Sequence, residues 1–309
     1  MRKLYVKEND ANQRVDKFLS KTLPTLPKSL MYKYIRNKKI KLNGARCEIS
    51  TKIQAGDEFT CYISDEFFEI EKDVSFFKAK DNVDVLFEDE NILIMNKERG
   101  LLAHSDDKVS DDTLINRMKH YLYRKNEYDY ENEQSFSPAL CHRIDRNTQG
   151  IVIGAKNAQA LRDMNEAIRD RNVDKFYYCI VEGIFNQKSG KIKAYHKKES
   201  QKVYIKDTFE KGYTEILTGY KVIKEKNNLS LLEVELFSGK SHQIRALMAH
   251  LKHPLYGDTR YGAKKRKYEY QTLCAYRIKF HDMPNTLSYL NEKEVRLDPN
   301  TIDFMKYMK

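Results

Sequence analysis

The sequence predicts an α+β fold, in which helices cover a mixed and largely antiparallel sheet, preceded by a small α/β unit. From residue 83 onward, strand-like segments outnumber helical ones and are not evenly interleaved with them, unlike in a doubly wound parallel sheet. The first 63 residues show a different order of helix, helix, turn and strand. At about 150 residues per domain, 309 residues leave room for two domains.

Two short helices begin the small unit. Val15, Phe18 and Leu19 recur at helical spacing, and Thr22-Leu23-Pro24 ends that helix. Ser29 is placed to cap a second, amphipathic helix. We therefore expect two helices that pack on a small sheet.

A turn and two strands complete this unit. Ile40-Lys41-Leu42 reads as a strand and runs into Asn43-Gly44, the strongest short signal for a β-hairpin. The returning arm of that hairpin would be Ala45-Arg46-Cys47. The alternating residues 58–63 predict a closing strand.

The net charge of +11 is unevenly distributed and suggests domain boundaries. Residues 1–63 carry a net charge of +8, residues 64–90 carry −7, and the rest of the chain carries +10. We place a small basic domain (the head) at 1–63, an acidic linker at 64–82 and a larger domain (the body) at 83–309. A basic chain favours a polyanionic partner, either nucleic acid or an anionic membrane surface.

The head carries candidate contacts to RNA. They are Lys33, Arg36, Lys38 and Lys39, on or just beyond the second helix. The alternative reading of these residues is a solvated basic surface. A second basic run, Lys264-Lys265-Arg266-Lys267, could touch phosphate or form a solvated loop.

Several classes of protein can be set aside. The charged first eight residues lack the apolar core of a secretory signal, and no apolar run approaches the roughly 18 residues that span a bilayer. The five cysteines are widely spaced without a CxxC pair, which favours buried free thiols and no structural metal. We therefore expect a cytoplasmic protein in a reducing compartment, without a membrane partner.

The body alternates strands and helices irregularly. Apolar runs or alternation predict strands, and a 3.6-residue period predicts helices. The predicted strands cover residues 83–88, 91–96, 150–155, 176–181 and 232–236, and the predicted helices cover 157–170 and 242–251.

The densest group of reactive side chains is the segment 141–150, which contains His142, Arg143, Asp145 and Arg146 just before an apolar strand. An aspartate is ionised at neutral pH, and neighbouring arginines favour the charged form. Asp145 could therefore act as an anionic nucleophile but is a poor general acid. The alternative is an Asp-Asn-Thr turn with an incidental salt bridge.

Two further segments could contribute to a site. A helix that starts near Ser241 carries His242 and Arg245, three residues apart and thus neighbours on its surface. Arg245 flanks the buried stripe of this helix and points toward a cleft or solvent. Lys175-Phe176-Tyr177-Tyr178 combines a cation with aromatic rings that could stack on bases, although such tyrosines more often pack within a sheet.

Ordered motifs in the head carry a first resemblance. They are Gln13-Arg14-Val15-Asp16-Lys17-Phe18-Leu19, Lys28-Ser29, Ile40-Lys41-Leu42-Asn43-Gly44 and Ile53-Gln54-Ala55-Gly56-Asp57. In this order they resemble the small RNA-binding domain first described in a small-subunit ribosomal protein.

Five ordered motifs in the body carry a second resemblance. They are Phe87-Glu88-Asp89-Glu90-Asn91-Ile92-Leu93-Ile94-Met95-Asn96-Lys97 with Gly100-Leu101-Leu102-Ala103-His104; His142-Arg143-Ile144-Asp145-Arg146-Asn147-Thr148-Gln149-Gly150; Lys175-Phe176-Tyr177; Gly239-Lys240-Ser241-His242-Gln243-Ile244-Arg245 with Gly257-Asp258-Thr259-Arg260-Tyr261-Gly262; and Leu273-Cys274-Ala275-Tyr276-Arg277-Ile278. Together they closely resemble the RluA family of RNA pseudouridine synthases. Glu98 and Cys274 depart from the family pattern, which usually has Pro and often has His there.

The resemblance implies a reaction and residue roles. It implies conversion of uridine to pseudouridine in RNA without metal, nucleotide or redox cofactor. We expect large-subunit ribosomal RNA as the substrate and a monomer as the active form, while the sequence leaves the choice between ribosomal and transfer RNA open. By position, Asp145 matches the catalytic aspartate, Tyr177 the tyrosine against the target base, and Arg245 the arginine paired with the aspartate. We expect Arg143 and Arg146 to surround the same carboxylate and, with His142, to contact RNA.

The implied reaction agrees with the residues. Breaking the bond between uracil N1 and ribose C1′ creates an oxocarbenium-like centre, which a nearby carboxylate stabilises, as in retaining glycoside hydrolysis. The sequence leaves open whether the aspartate attacks C1′ or removes a ribose proton. It also leaves two other functions to consider: a non-enzymatic RNA-binding or assembly factor, and a nucleoside or glycoside hydrolase, for which no motif supplies a second carboxylate.

Overall fold

The computed structural model describes residues 1–69, 71–105, 111–200, 202–265 and 270–309. These residues contain fourteen named strands and five α-helices, joined by loops and short 3-10 turns. The strands are β1 (Arg2–Tyr5), β2 (Ile40–Leu42), β3 (Glu58–Cys61), β4 (Val85–Glu88), β5 (Ile92–Lys97), β6 (Ala139–Leu140), β7 (Gln149–Ala155), β8 (Val173–Glu182), β9 (Ser189–Glu199), β10 (Lys202–Lys206), β11 (Thr214–Lys226), β12 (Leu229–Leu236), β13 (Leu273–Phe280) and β14 (Glu294–Arg296). The helices are α1 (Val15–Thr22), α2 (Lys28–Arg36), α3 (Leu114–Arg124), α4 (Ala158–Asp170) and α5 (Gln243–His250).

The head is an antiparallel sheet of order β1-β3-β2 with α1 and α2 packed against it. Its buried apolar side chains form one cluster, in which the rings of Phe18 and Phe59 stack with centroids 5.3 Å apart. Helix α1 ends at Thr22, as predicted. Ser29 does not cap α2, because that helix already begins at Lys28 with Pro27 at the cap position.

The predicted hairpin of the head is only half correct. Asn43 and Gly44 form the turn, with positive φ angles of 50° and 76°. The returning arm is wrong, because Ala45 makes a single bridge to Leu42 and β2 pairs along its length with β3. Strand β3 brings the buried Phe59 and Cys61 into the core, whereas Ala45 and Arg46 are exposed and bury no apolar surface there.

The acidic segment 64–82 packs against the body. It holds two short 3-10 turns, and Phe76, which lies in the second of them, is completely buried. The Phe76 ring contacts five rings, those of Phe77, His120, Tyr123, Tyr128 and Tyr130. The segment thus adds an aromatic contact to α3, a helix that the sequence reading did not predict.

The body is built on a large sheet whose strands follow the order β10-β9-β11-β12-β8-β13-β7-β5-β4, with β14 beside β13 and β6 beside β7. All the pairs in this sheet are antiparallel except β13 with β7. The prediction of an α+β fold with a mixed, largely antiparallel sheet is therefore confirmed. Residues Cys274 and Ala275 of β13 lie beside Gln149 and Gly150 of β7.

Gly150 is needed where β7 meets β13. Its φ angle of 128° is unusual for residues with a side chain, and a Cβ placed there would lie 2.2 Å from the carbonyl oxygen of Ala275. The glycine therefore allows the two backbones to approach each other just after the loop that carries Asp145.

The two faces of the sheet have different cores. On one face, α4 packs on Ile151 and Ile153 of β7, and its first turn is capped by Asn157, whose Oδ1 accepts a hydrogen bond of 2.8 Å from the backbone N–H of Ala160. On the other face, α3 and α5 cover Val152 and Tyr177. The predicted helices at 157–170 and 242–251 are confirmed to within one residue at each end.

Candidate active site

A cavity of about 880 Å³ opens on the face of the sheet that α5 covers. Its wall includes the loop between β6 and β7, strand β8, and the start of α5 with the loop before it. The cavity brings together six residues that the sequence reading selected, Asp145, Tyr177, Arg245, His142, Arg143 and Arg146. Residues that are up to 103 positions apart in the chain, such as His142 and Arg245, therefore share one site.

Asp145 lies on the tight turn that leads into β7. Its backbone carbonyl accepts a hydrogen bond of 3.0 Å from the N–H of Thr148, which closes the turn. The Arg245 Nη1 donates to the Oδ2 of Asp145 over 2.9 Å, and the Nε2 of His242 lies 3.7 Å from the same oxygen. The Asp145 side chain keeps 29% of its exposure, so its carboxylate is held in place and still reachable from the cavity.

Arg245 is held by a second carboxylate, which the sequence reading did not single out. Its Nε and Nη2 donate to the Oδ2 and Oδ1 of Asp258 over 2.7 and 2.9 Å, a bidentate geometry. Burial alone lowers the pKa of Arg245, but its hydrogen bonds to Asp258 and Asp145 outweigh burial and raise it. The only signal for Asp258 in the sequence was its place between Gly257 and Thr259 in a quoted motif.

The expectation that three arginines surround Asp145 is wrong for two of them. Arg146 turns away, and its Nε donates to the carbonyl oxygen of Gly100 over 2.9 Å. Arg143 is exposed at the cavity wall, and no carboxylate of the described residues pairs with it. Of the three, Arg245 alone contacts Asp145.

His142 lines the cavity as a neutral ring. Burial and the nearby Lys175 ammonium lower the pKa of His142 to about 3. Its Nε2 accepts a hydrogen bond of 3.3 Å from the backbone N–H of Ile153. At neutral pH His142 therefore brings no positive charge to a bound RNA.

Tyr177 forms the wall of the cavity beside Asp145. It projects from β8 and keeps only 7% of its exposure. Burial and the Asp145 carboxylate raise the pKa of the Tyr177 hydroxyl well above its usual value, so the hydroxyl stays protonated. A flat, uncharged ring thus lies next to a carboxylate, an arrangement that suits a flipped base above the ring.

Lys97 is a second residue that the sequence reading did not single out. The side chain at the end of β5 is completely buried. Its Nζ donates to the carbonyl oxygens of Glu98, Leu101 and Arg146 over 2.9, 2.8 and 2.9 Å. Burial lowers the pKa of Lys97 to about 7, while the three acceptors match the three N–H groups of an ammonium ion. Lys97 therefore ties the loop after β5 to the turn that carries Asp145.

The basic residues of the head lie outside this cavity. Lys33, Arg36, Lys38 and Lys39 are exposed, and none of the described carboxylates pairs with them. Lys39 lies 5.4 Å from the centre of the Tyr34 ring. In the second basic run, Lys264 and Lys265 are exposed, while residues 266–267 lie outside the described residues.

The described ranges contain neither a cluster of metal ligands nor a membrane-spanning helix. Within them, no group of three or more His, Cys, Asp or Glu side chains could hold a metal ion. None of the helices there is long and apolar enough to cross a membrane. All five cysteines are free thiols, and all but Cys141 are fully buried.

Comparisons with known proteins find relatives of both domains. Residues 91–250 match the model of a family described as RNA pseudouridylate synthase, and residues 13–59 match that of the S4 domain. An uncharacterized RNA pseudouridine synthase from Mycoplasma capricolum subsp. capricolum is 34% identical over 98% of this chain and 99% of its own length. The ribosomal large subunit pseudouridine synthase C of Buchnera aphidicola subsp. Schizaphis graminum is 28% identical over 84% of this chain and 81% of its own.

A solved structure has a similar fold. The human RNA pseudouridylate synthase domain containing 4 protein aligns with a TM-score of 0.56 at 19% identity, over 70% of this chain and 88% of that one.

Proposed function

Since this chain belongs to the RNA pseudouridylate synthase family and is an RNA-modifying isomerase, we propose that Asp145 is its catalytic aspartate and that large-subunit ribosomal RNA is its substrate. The observation that carries the assignment of Asp145 is its contact with Arg245 inside the cavity, 2.9 Å from Nη1 to Oδ2, beside the ring of Tyr177. The other carboxylates of the cavity wall, Asp174 and Glu215, pair with His281 and Lys193 instead.

The geometry suits the bond that must break. As the bond between N1 and C1′ lengthens, positive charge develops on the ribose, and the Asp145 carboxylate can stabilise or trap it. The freed uracil, whose N1 keeps the electron pair of the broken bond, then turns so that its C5 bonds to C1′. The proton on C5 leaves and N1 gains a proton, so the product is an isomer of uridine. Because Arg245 holds one carboxylate oxygen, Oδ2, the other oxygen is the one free to face the ribose.

Tyr177 and Arg245 have supporting roles in this proposal. The Tyr177 ring supports the flipped uracil from below and keeps water from the cleaved intermediate, which would otherwise hydrolyse to free uracil. Arg245 orients Asp145 and is itself oriented by Asp258. Two carboxylates share one guanidinium, so the group of three at the reaction site keeps a net negative charge.

The choice of large-subunit ribosomal RNA rests on two observations. Relatives from Buchnera aphidicola carry the name ribosomal large subunit pseudouridine synthase C. The head matches the S4 domain and presents on α2 exposed cations that pair with none of the described carboxylates. We propose that the head at 1–63 and Lys33, Arg36, Lys38 and Lys39 bind this RNA, that residues 64–82 join it to the catalytic body at 83–309, and that Arg143 and Arg146 contact the RNA at the cavity.

The proposal also includes action as a monomer. Asp145, Tyr177, Arg245 and Asp258 all come from one chain, and no second copy is needed to complete their contacts.

Replacing Asp145 by Asn tests the assignment. In Asp145→Asn the amide keeps the shape of the side chain and one hydrogen bond to Arg245 but loses the charge, so pseudouridine formation should fall by at least about a thousandfold. Asp174→Asn is the matched control, since Asp174 lines the same cavity and pairs with His281 over 3.5 Å. Normal activity in the Asp145 variant, with unchanged folding and RNA affinity, would overturn the proposal.

A further inference from the structure

Lys175 lines the active-site cavity and has no partner among the residues that the structure describes. It lies two residues before Tyr177 on β8, and both side chains line the cavity. At about 3.3 Å per residue of strand, the two positions are separated by roughly 7 Å. Among the described residues, no hydrogen-bond acceptor and no carboxylate contacts the Lys175 ammonium group.

The groups around Lys175 do not neutralise it. Burial raises the pKa of the nearby Cys141 thiol to about 12, so that thiol carries no negative charge. The His142 ring is neutral. Asp174, the next residue back, also lines the cavity but pairs with His281 over 3.5 Å.

A partly buried ammonium that has no partner among the described residues is unfavourable. Burial lowers the pKa of Lys175 to about 8, which still leaves the group mostly protonated at neutral pH. An anion that enters the cavity during function would offset the cost of burying this ammonium group and would explain why a lysine lies in the cavity wall.

The whole cavity wall has an excess of positive charge. Eight Lys and Arg residues line it, against three Asp and Glu residues. One of the eight, Arg143, belongs to the loop next to His142, and no described carboxylate pairs with it. Lys175 and Arg143 therefore leave two positive charges free for a ligand near the catalytic turn.

We propose that Lys175, together with Arg143 of the same cavity wall, binds a backbone phosphate adjacent to the target uridine. This inference rests on the proposed function, because it takes the flipped base to lie on Tyr177. The separation between Lys175 and Tyr177 along β8 is comparable to the length of one nucleotide, so a base on Tyr177 brings a neighbouring phosphate to Lys175. The phosphate neutralises the ammonium group and holds the flipped nucleotide in the cavity.

The first test is the salt dependence of RNA binding. The full chain is titrated with large-subunit ribosomal RNA from cells that lack the gene, for the wild type, Lys175→Met and Lys175→Arg. A lost contact to one phosphate of single-stranded RNA lowers the slope of log affinity against log salt by about 0.7. Lys175→Met should show that smaller slope and about tenfold weaker binding, while Lys175→Arg keeps the wild-type slope. Lys224→Met is the control, since Lys224 is an exposed lysine of β11 outside the cavity.

Kinetics separate binding from chemistry. In Lys175→Met the larger share of the loss should fall on KM, with a smaller fall in the rate at saturating RNA. An unchanged slope and KM would overturn the proposal, as would a collapse of the saturated rate with unchanged affinity, which would place Lys175 in the chemical step. Thermal unfolding checks that the variant is folded, and Lys175→Gln serves if the Met variant is not.

A second test pairs the lysine with a phosphate. In an RNA stem-loop that holds the mapped uridine, each of the two flanking phosphates is replaced in turn by an uncharged methylphosphonate. One replacement should weaken binding of the wild type but not weaken Lys175→Met further. Equal losses in both proteins, at both positions, would refute the contact. Because binding is measured apart from isomerisation, failure here is distinct from failure of Asp145 as the catalytic residue.

Discussion

The proposed catalytic carboxylate, Asp145, and its partner Arg245 depend on a third residue. Asp258 keeps only 2% of its side-chain exposure, and a carboxylate so deeply buried is costly unless it is paired. Arg245 donates two hydrogen bonds to the Asp258 carboxylate, and its Nη1 donates a third to Asp145. The buried pair thus fixes the guanidinium plane, and Asp145 receives an oriented donor while remaining accessible.

The sequence identified some of these residues and missed others for a physical reason. Asp145 stands out because several charged residues surround it in a predicted turn. Arg245 stands out because it lies at the start of a predicted helix that follows a glycine turn. Asp258 and Lys97 act through tertiary contacts, to an arginine 13 residues away and to a carbonyl 49 residues away. Such contacts leave no local pattern, so only the structure shows them.

The neutral state of His142 predicts a loss of stability in acid. Its pKa is about 3 in the folded protein, because of burial and the Lys175 charge, against roughly 6.5 in an unfolded chain. Between these values the unfolded state binds the proton and the folded state does not, so the free energy of unfolding falls as the pH falls. From pH 6.5 to pH 5 this amounts to about 2 kcal/mol.

His142→Gln is the variant that isolates this effect, since Gln can still accept the hydrogen bond from Ile153. Urea unfolding of both proteins at pH 7 and pH 5 should show the wild type losing about 2 kcal/mol more than the variant. Equal losses would mean that His142 is protonated in the folded protein.

Strand β7 and helix α5 place the reactive groups together. Strand β7 follows the Asp145 turn and meets β13 at Gly150, while α5 begins at Gln243 and carries Arg245 on its first turn. His242, just before α5, adopts a left-handed conformation with φ of 54° and so brings its ring near Asp145. The geometry of the site is therefore set where each element begins.

Periodicity predicted most of these elements, and the exceptions have causes. The helices at 157–170 and 242–251 have a clear apolar stripe. Helix α3 also has one, but polar and charged residues break it, and its Asn116 and Arg117 are buried through side-chain hydrogen bonds. Strand β1 has only four residues and gains its stability by pairing with β3, a partner more than fifty residues away.

Replacing Gly150 by Ala tests the contact between β7 and β13. The new Cβ would lie 2.2 Å from the Ala275 carbonyl oxygen, at a φ angle of 128°, so one strand must move. We expect a loss of at least about 3 kcal/mol in unfolding free energy. Gly262→Ala is the control, with a positive φ of 91° but open space around the Cβ, and should cost about 1 kcal/mol. Similar losses in the two variants, measured by urea unfolding, would show that the strands do not need this approach.

At the scale of the whole molecule, the head is anchored to the body. Asp10 is completely buried and accepts hydrogen bonds from the N–H and Oγ of Ser135, at 3.1 and 2.5 Å. Beside it, the Asn9 Nδ2 donates to Glu133 Oε1 over 2.7 Å, and the Lys7 Nζ donates to the carbonyl oxygen of Asn132. The charge pattern of the sequence suggested two units, but the contacts between them are made by polar groups that no pattern identifies.

Deleting residues 1–63 tests the division of labour between head and body. The truncated protein should stay folded and bind large-subunit ribosomal RNA more weakly, with a shallower dependence on salt, because exposed cations of the head are gone. Circular dichroism and binding titrations at several salt concentrations make the comparison. Loss of soluble, folded protein would contradict the boundaries, and unchanged affinity would contradict RNA binding by the head.

The most direct test of the central claim is a map of pseudouridines in large-subunit ribosomal RNA. It compares RNA from cells with the gene, without the gene, and with the gene encoding Asp145→Asn. We predict that at least one pseudouridine is present with the wild-type gene and absent in the other two, although the variant protein is made at the same level. A site that persists in cells with Asp145→Asn would contradict the catalytic role of Asp145, and an unchanged map in all three would contradict the assigned substrate.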